Sequence, residues 1–415
     1  MGHKVLKGGT AYDVVGGTVL KAGTSYSVKN GKVLVGGTEY DISFLLPASA
    51  RNIWGTGSSY NQEINCICHA NGYWVVGGYY RSGSTHYARI AYATSLDGTW
   101  TAINIWSVSS YDYNYINCIA YANGYWVVGG RYTASTKYSA RIAYAASLSG
   151  TWTTSDLSSN NSGACSVQSI KYLNGYWVAG GYYYTGSVRY ATVWYINSTS
   201  PAGDWQGNTI WNGNYWYEIN DFTYANGYWV VAGLWAGSST YTASISYCTN
   251  ITSSQSHWTR VSLWNGSYSS NTINCIEYAN GYFVVGGSKQ TASSSYQGMM
   301  AYVETYPSNS WTTVSLLSGS NGYIGITSVA YGDDGYWMVC GKFTGYTDDA
   351  TSYSAFVGYT KSLGSITNVL VYTNTNSTTK FNDVTYADGY WVVGGTYNYY
   401  ANICYAKSPS SFAST

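Results

Sequence analysis

Two carboxylates stand at matching positions of a repeated segment, Asp221 in Ile219-Asn220-Asp221-Phe222 and Asp383 in Phe381-Asn382-Asp383-Val384. Two carboxyl groups facing one cavity can hydrolyse a glycosidic bond, and their separation decides the mechanism. Neither has a His or Arg in its own segment, so catalysis is not the expected use and the chain is read as a non-enzyme. One residue earlier the same segments carry Asn65, Asn117, Gln168, Asn220, Asn274, Ser328 and Asn382. An amide ring at one level would either frame the polar mouth of a channel or bond neighbouring strands and set their spacing.

Metal and cofactor chemistry finds no footing. The eight Cys (66, 68, 118, 165, 248, 275, 340, 404) form no CxxC, and the four His (3, 69, 86, 257) do not stand beside them at ligand spacing. There is no P-loop, no GxGxxG after a strand, and no HExxH, GxSxG or EF-hand pattern. Asp348-Asp349 reads as an exposed acidic pair. No cofactor and no metal are expected. Cys66, Cys118 and Cys275 share the slot of Asp221 and Asp383, as small buried packing residues would. The start of the sequence carries no apolar leader, so all eight cysteines are read as reduced thiols of a chain made in a cytoplasm.

The chemistry that is abundant is aromatic. The chain has 49 Tyr and 18 Trp but only 7 Phe. Charged residues are 9% of its 415 positions, against about 25% in ordinary globular proteins. The net charge of +1 supplies no field for polyanions, so no nucleic-acid partner is expected, and no apolar run is long enough for membrane insertion. Tyr and Trp mixed with Ser, Asn and Gly in irregular segments resemble a paratope, with rigid rings for contact area and small polar groups for adaptable hydrogen bonds. The candidate ligand-binding residues are Tyr111, Tyr113, Tyr115, Tyr183, Trp211, Tyr215, Trp216, Tyr217, Trp235, Trp264 and Tyr268. The candidate channel residues are Asn65, Asn117, Asn220, Asn274 and Asn382.

What positions these residues is a repeat. Ala70-Asn71-Gly72-Tyr73-Trp74-Val75-Val76-Gly77-Gly78 returns with its first Gly at 72, 124, 175, 227, 281, 335 and 389. Seven copies at a period of 51 to 54 residues point to a propeller. Each copy divides into four short strands, A to D. Asn-Gly, a strong hairpin signal, joins A to B. A variable loop joins B to C, and a second tight turn leads to D. Trp100, Trp152, Trp205, Trp258 and Trp311 mark the start of D, with Ile366 and Phe412 near that place in the last two copies. Strand direction then puts both tight turns on one face and both variable loops on the other, here termed the turn face and the loop face. Residues 50–66 align without a gap on residues 102–118, so the chain enters the ring with a strand D. A strand near Ala50–Trp54 therefore completes the seventh blade and removes a sheet edge. The predicted fold is all-β: a seven-bladed propeller of four-stranded blades over residues 46–415, closed by an N-terminal strand.

The A–B unit followed by Ser95-Leu96-Asp97-Gly98-Thr99-Trp100 resembles propeller repeats with degenerate Asp-box turns, of the kind seen in sialidase-like and phage structural proteins. In that family the box is a structural turn and implies fold, not activity. A sialidase would need an arginine cluster on the inner strands, and no strand A contains Arg. Residues 1–45 are a separate repeat of period 14: Lys4-Val5-Leu6-Lys7-Gly8-Gly9-Thr10 returns from Thr18 and from Lys32. This arm resembles Gly-Gly-Thr-x-Tyr repeats at the N-termini of phage virion proteins, where such a module docks a fibre or spike. The resemblance implies a virion protein exposed on the particle surface and assembled in the bacterial cytoplasm. Its expected partners are other virion proteins through residues 1–45 and a host surface glycan or protein, with self-association through the arm a further expectation. Three functions stay open: host-ligand binding through the loops, pure capsid or tail decoration, and a propeller glycosidase.

Overall fold

The chain is described by a computed structural model over residues 3–7, 10–15, 18–21, 24–29, 32–35, 38–41, 49–54, 62–108, 113–161, 163–186, 188–237, 240–265, 271–293, 295–304, 310–318, 323–346, 351–374 and 379–414. It divides into two compact units near residue 47. In the first, each 14-residue repeat supplies two strands, and the six strands form one antiparallel sheet in sequence order.

The second unit is a ring of seven four-stranded antiparallel sheets, as the repeat predicts. The first blade runs Gln62–Ala70, Tyr73–Ser82, Thr85–Ala93 and Thr101–Val108. The inner strands of blades 2 to 7 are Tyr115–Ala122, Ser166–Leu173, Glu218–Ala225, Thr272–Ala279, Ile324–Tyr331 and Lys380–Ala387. Blade 7 takes its outer strand from the other end of the unit: Ser49–Asn52 pairs with Tyr400–Ala406, Ala50 opposite Cys404. Arg51 of this strand donates to the carbonyls of Leu96 and Gly98, both at 2.8 Å, tying the closing strand to the Asp-box-like turn of blade 1.

Local chemistry accounts for the repeat. Six A–B hairpins place Asn or Asp and then Gly at positive φ, Asn71 at 49° and Gly72 at 76° in blade 1, which is the two-residue turn that suits twisted strands. The second glycine of the pair at 77–78 has a different task. A Cβ on Gly78 would overlap the carbonyl oxygen of Glu63, and every blade repeats this clash, at Gly130, Gly181, Gly233, Gly287, Gly341 and Gly395. The first glycine meets side chains instead, and Ala232 and Cys340 replace it in two blades. The overlap arises because each inner strand carries a β-bulge opposite this glycine, for example between Ile64 and Cys66.

Candidate functional site: the rim of the loop face

The bulges decide the fate of the amide ring. The bulged residues are Asn65, Asn117, Gln168, Asn220, Asn274, Thr327 and Asn382. Five of the amides donate to a main-chain carbonyl of the next blade: Asn65 to Ile116 (2.8 Å), Asn117 to Val167 (2.8 Å), Asn220 to Ile273 (2.8 Å), Asn274 to Ile326 (2.7 Å) and Asn382 to Ile64 (2.7 Å). They hold blade to blade, which is the second of the two expected uses. In blade 6 the position belongs to Thr327, not Ser328, and its hydroxyl donates to Phe381 at 2.8 Å. The hairpin there is one residue longer, through Gly332-Asp333-Asp334-Gly335, which displaces the count back from the marker glycine.

The two aspartates are committed in the same way. Asp383 accepts from the Ser328 hydroxyl (2.6 Å), the Val384 amide (2.9 Å) and the Ile67 amide of blade 1 (2.8 Å). Asp221 accepts from the Ser169 hydroxyl (2.7 Å), the Phe222 amide (2.8 Å) and the Ile276 amide (3.0 Å), with the Lys171 ammonium 2.8 Å away. Burial pushes the Asp383 carboxyl up to about 6, against the pull of its three donors. Both carboxylates are spent on joining blades. Among the described residues no cluster of three or more metal-ligating side chains forms.

The candidate binding aromatics separate into three groups. Trp211, Tyr217 and Trp264 are buried and are corrected to core residues. Trp211 and Trp264 close the loop-face end of strand D, opposite Ala191 and Ala243, and wedge into the next blade. The indole N–H of Trp264 donates to Ser288 at 2.9 Å, as that of Trp106 donates to Arg131 at 3.2 Å. Tyr183 and Trp235 are half-buried and engaged at home: Tyr183 stacks on Tyr190, and the Arg260 guanidinium lies 3.7 Å from the centre of the Trp235 ring. Tyr113 and Trp216 stand out to solvent, 59% and 48% exposed, with Tyr215 at 39%. Tyr115 is half-buried beside them, at the start of the blade 2 inner strand. Tyr111 and Tyr268 lie outside the described residues.

One further large exposed ring, Tyr323, joins Tyr113, Tyr215 and Trp216 among the described residues. All four occupy D–A loops, hence the loop face. Beneath them lies a set of charged and phenolic groups that the sequence reading did not select. Strand A contributes Glu63, Glu218 and Lys380; strand B, opposite in register, contributes Tyr79, Arg131, Tyr182 and Lys342. Lys380 pairs with Glu63 at 2.6 Å, and Arg189 of strand C pairs with Glu218. The Arg189 guanidinium also donates to the Tyr184 hydroxyl (2.9 Å) and lies 4.9 Å from the Trp216 ring centre. Burial lowers the Lys342 ammonium, and the nearby Lys380 adds to the effect. The signal for these residues was present in the repeat. The residue after the invariant second glycine varies as Tyr79, Arg131, Tyr182, Leu234, Ser288, Lys342 and Thr396, within a strand otherwise nearly constant.

No family model matches the sequence, and no curated protein proves similar to it. Among solved structures the ring is similar to a phage phi92 endosialidase, at 12% identity and a TM-score of 0.49 over 91% of this chain and 70% of that one. It is also similar to a chain of a mitotic checkpoint complex, at 9% and 0.48 over 91% and 99%. A third is YjhT, at 9% and 0.42 over 69% and 92%. At these identities and scores the likenesses carry no inference about activity.

Proposed function

We propose that the chain is a non-enzymatic phage virion protein, exposed on the particle, whose propeller binds a host cell-surface glycan through the loop face. The observation that carries this reading is the placement of the exposed rings. In a chain with 49 Tyr and 18 Trp, four large rings are exposed among the described residues, and all four belong to one class of loop on one face. Rings that served only blade packing would be buried, as Trp211 and Trp264 are. Exposed Tyr and Trp give a sugar ring flat surfaces for its C–H face, and the Ser, Asn and Gly around them supply hydrogen bonds. Residues 1–45, resembling virion docking repeats, would join other virion proteins or copies of the chain. Catalysis is disfavoured because Asp221 and Asp383 are already held by blade-to-blade donors.

A glycan array probed with the full chain tests the proposal. Binding without turnover is the expected result. No binding would sink it in favour of a decoration protein, and released product would make the chain an enzyme.

A further inference from the structure

Charge at the rim of the loop face is unbalanced. Glu63 and Glu218 neutralise Lys380 and Arg189. Arg131 and Lys342 have no carboxylate partner among the described residues. Four cations thus face two carboxylates around the rim of a chain whose whole net charge is +1.

The two unpaired cations are equivalent by position. Arg131 lies opposite Tyr115 and Lys342 opposite Gly325, and each directly follows the invariant glycine of its strand B. They stand at one height on blades 2 and 6, as far apart as a ring of seven allows. Each has an exposed tyrosine beside it. The Arg131 guanidinium carbon is 5.7 Å from the Tyr113 ring centre, and the Lys342 ammonium is 5.9 Å from that of Tyr323. Half-burying these cations costs solvation that rings, the Thr133 hydroxyl (3.1 Å from the Arg131 Nε) and, for Lys342, the already paired Glu63 return only in part. Such an arrangement suits an anion brought by a ligand.

We infer that the ligand is an acidic saccharide, whose carboxylates meet Arg131 and Lys342 while its ring faces stack on Tyr113 and Tyr323. The inference rests on the glycan reading and adds the ligand's charge to it. A carboxylate-bearing sugar offers an anion at the edge of an apolar C–H face, and each cation–tyrosine pair offers the matching two surfaces at about the span of one sugar ring. The planar fork of Arg131 suits a carboxylate through two parallel hydrogen bonds.

Calorimetric titration of the full chain with oligomers of galacturonate, alginate and hyaluronate, beside neutral dextran and cello-oligomers of equal length, tests this. At least one acidic oligomer should bind, and more weakly as salt rises. Arg131→Gln and Lys342→Met should each weaken that binding at least about tenfold, while thermal melting stays close to the parent. Lys361→Gln, an exposed cation outside the rim, should change nothing. If neutral oligomers bind as well as acidic ones and both rim variants leave them unaffected, the inference fails and the glycan reading stands. If no saccharide binds, both fail. If poly(glycerol phosphate) binds and no acidic oligomer does, the carboxylate assignment is overturned.

Discussion

The side-chain amide of Asn382 donates to the main-chain carbonyl of Ile64 at 2.7 Å, across 318 residues of sequence. This bond joins the last blade to the first. It exists because the inner strand bulges at Asn382, turning its amide toward the next blade, and the same bulge is why the facing Gly395 accepts no Cβ. Ring closure therefore has two seams, the outer strand Ser49–Asn52 and an inner one to which this bond belongs, beside Asp383 with Ile67 and Lys380 with Glu63.

Asn382→Leu should cost about 1–3 kcal/mol, because it leaves a carbonyl of the inner strand without its donor. Denaturant midpoints for the variant and the parent measure it. A variant as stable as the parent would show that the outer strand and the remaining blade 7 to blade 1 contacts, Asp383 with Ile67 and Lys380 with Glu63, close the ring without it.

Replacement of Trp264 by Ala should destabilise the propeller by about 3–5 kcal/mol, as loss of a buried indole does. Trp216→Ala and Tyr113→Ala should stay within about 0.5 kcal/mol of the parent while weakening glycan binding. Comparable losses of stability at Trp216 would place it in the core and undo the binding surface.

The contrast between Trp264 and Trp216 shows what could be read in advance. Blade number and closure were legible because hairpins with positive φ at two successive residues demand Asn-Gly, and that demand recurs seven times with one longer exception. Trp211 and Trp264 were mistaken for ligand contacts because they lie near irregular loops. Their spacing, shared with Trp54 and Trp106, follows the repeat and marks a packing position; Trp216 stands four residues before the bulged Asn220, the place that Tyr113 and Tyr323 hold in their own blades, and all three reach solvent. The one-residue insertion at Gly332–Gly335 hid Thr327 behind Ser328. The rim cations were passed over for another reason, although one column of the repeat carries Arg131 and Lys342. Arg131, Lys342 and Lys380 come from strands of three different blades, and their place on one rim is a product of ring geometry that no single segment contains.

The eight thiols should react unequally with a bulky disulfide reagent. None is in a disulfide, and every one but Cys68 is buried. Burial pushes even half-buried Cys68 up to about 12, with the Asp383 charge adding to it, and Cys248 likewise to about 12. Thiolate is the reacting form, so at neutral pH the native chain should label at no more than one site on the timescale in which the denatured chain labels at all eight. Rapid labelling of several native thiols would show that the blades open readily or that the inner strands are wet.

Asp383 should make the propeller's stability depend on pH in an unusual direction. Most native carboxylates are held below their free value, and stability falls as acid protonates them. Here burial raises the carboxyl from 3.8 to about 6, so the folded chain holds this proton more tightly than the unfolded chain does. The stabilising contribution of that proton is complete below the unfolded value and is lost as pH rises through about 6. Asp383→Asn keeps the side chain's shape and cannot titrate, so subtracting its stability removes the contributions of every other group. The parent should lose stability relative to Asp383→Asn between about pH 4 and pH 7, and the difference should level off above that. Denaturation curves at four or five pH values decide it. A parent that instead gains stability relative to Asp383→Asn as pH rises would mean that the donors from Ser328, Ile67 and Val384 outweigh burial and hold the carboxylate charged, so that the tie between blades 6, 7 and 1 is ionic throughout.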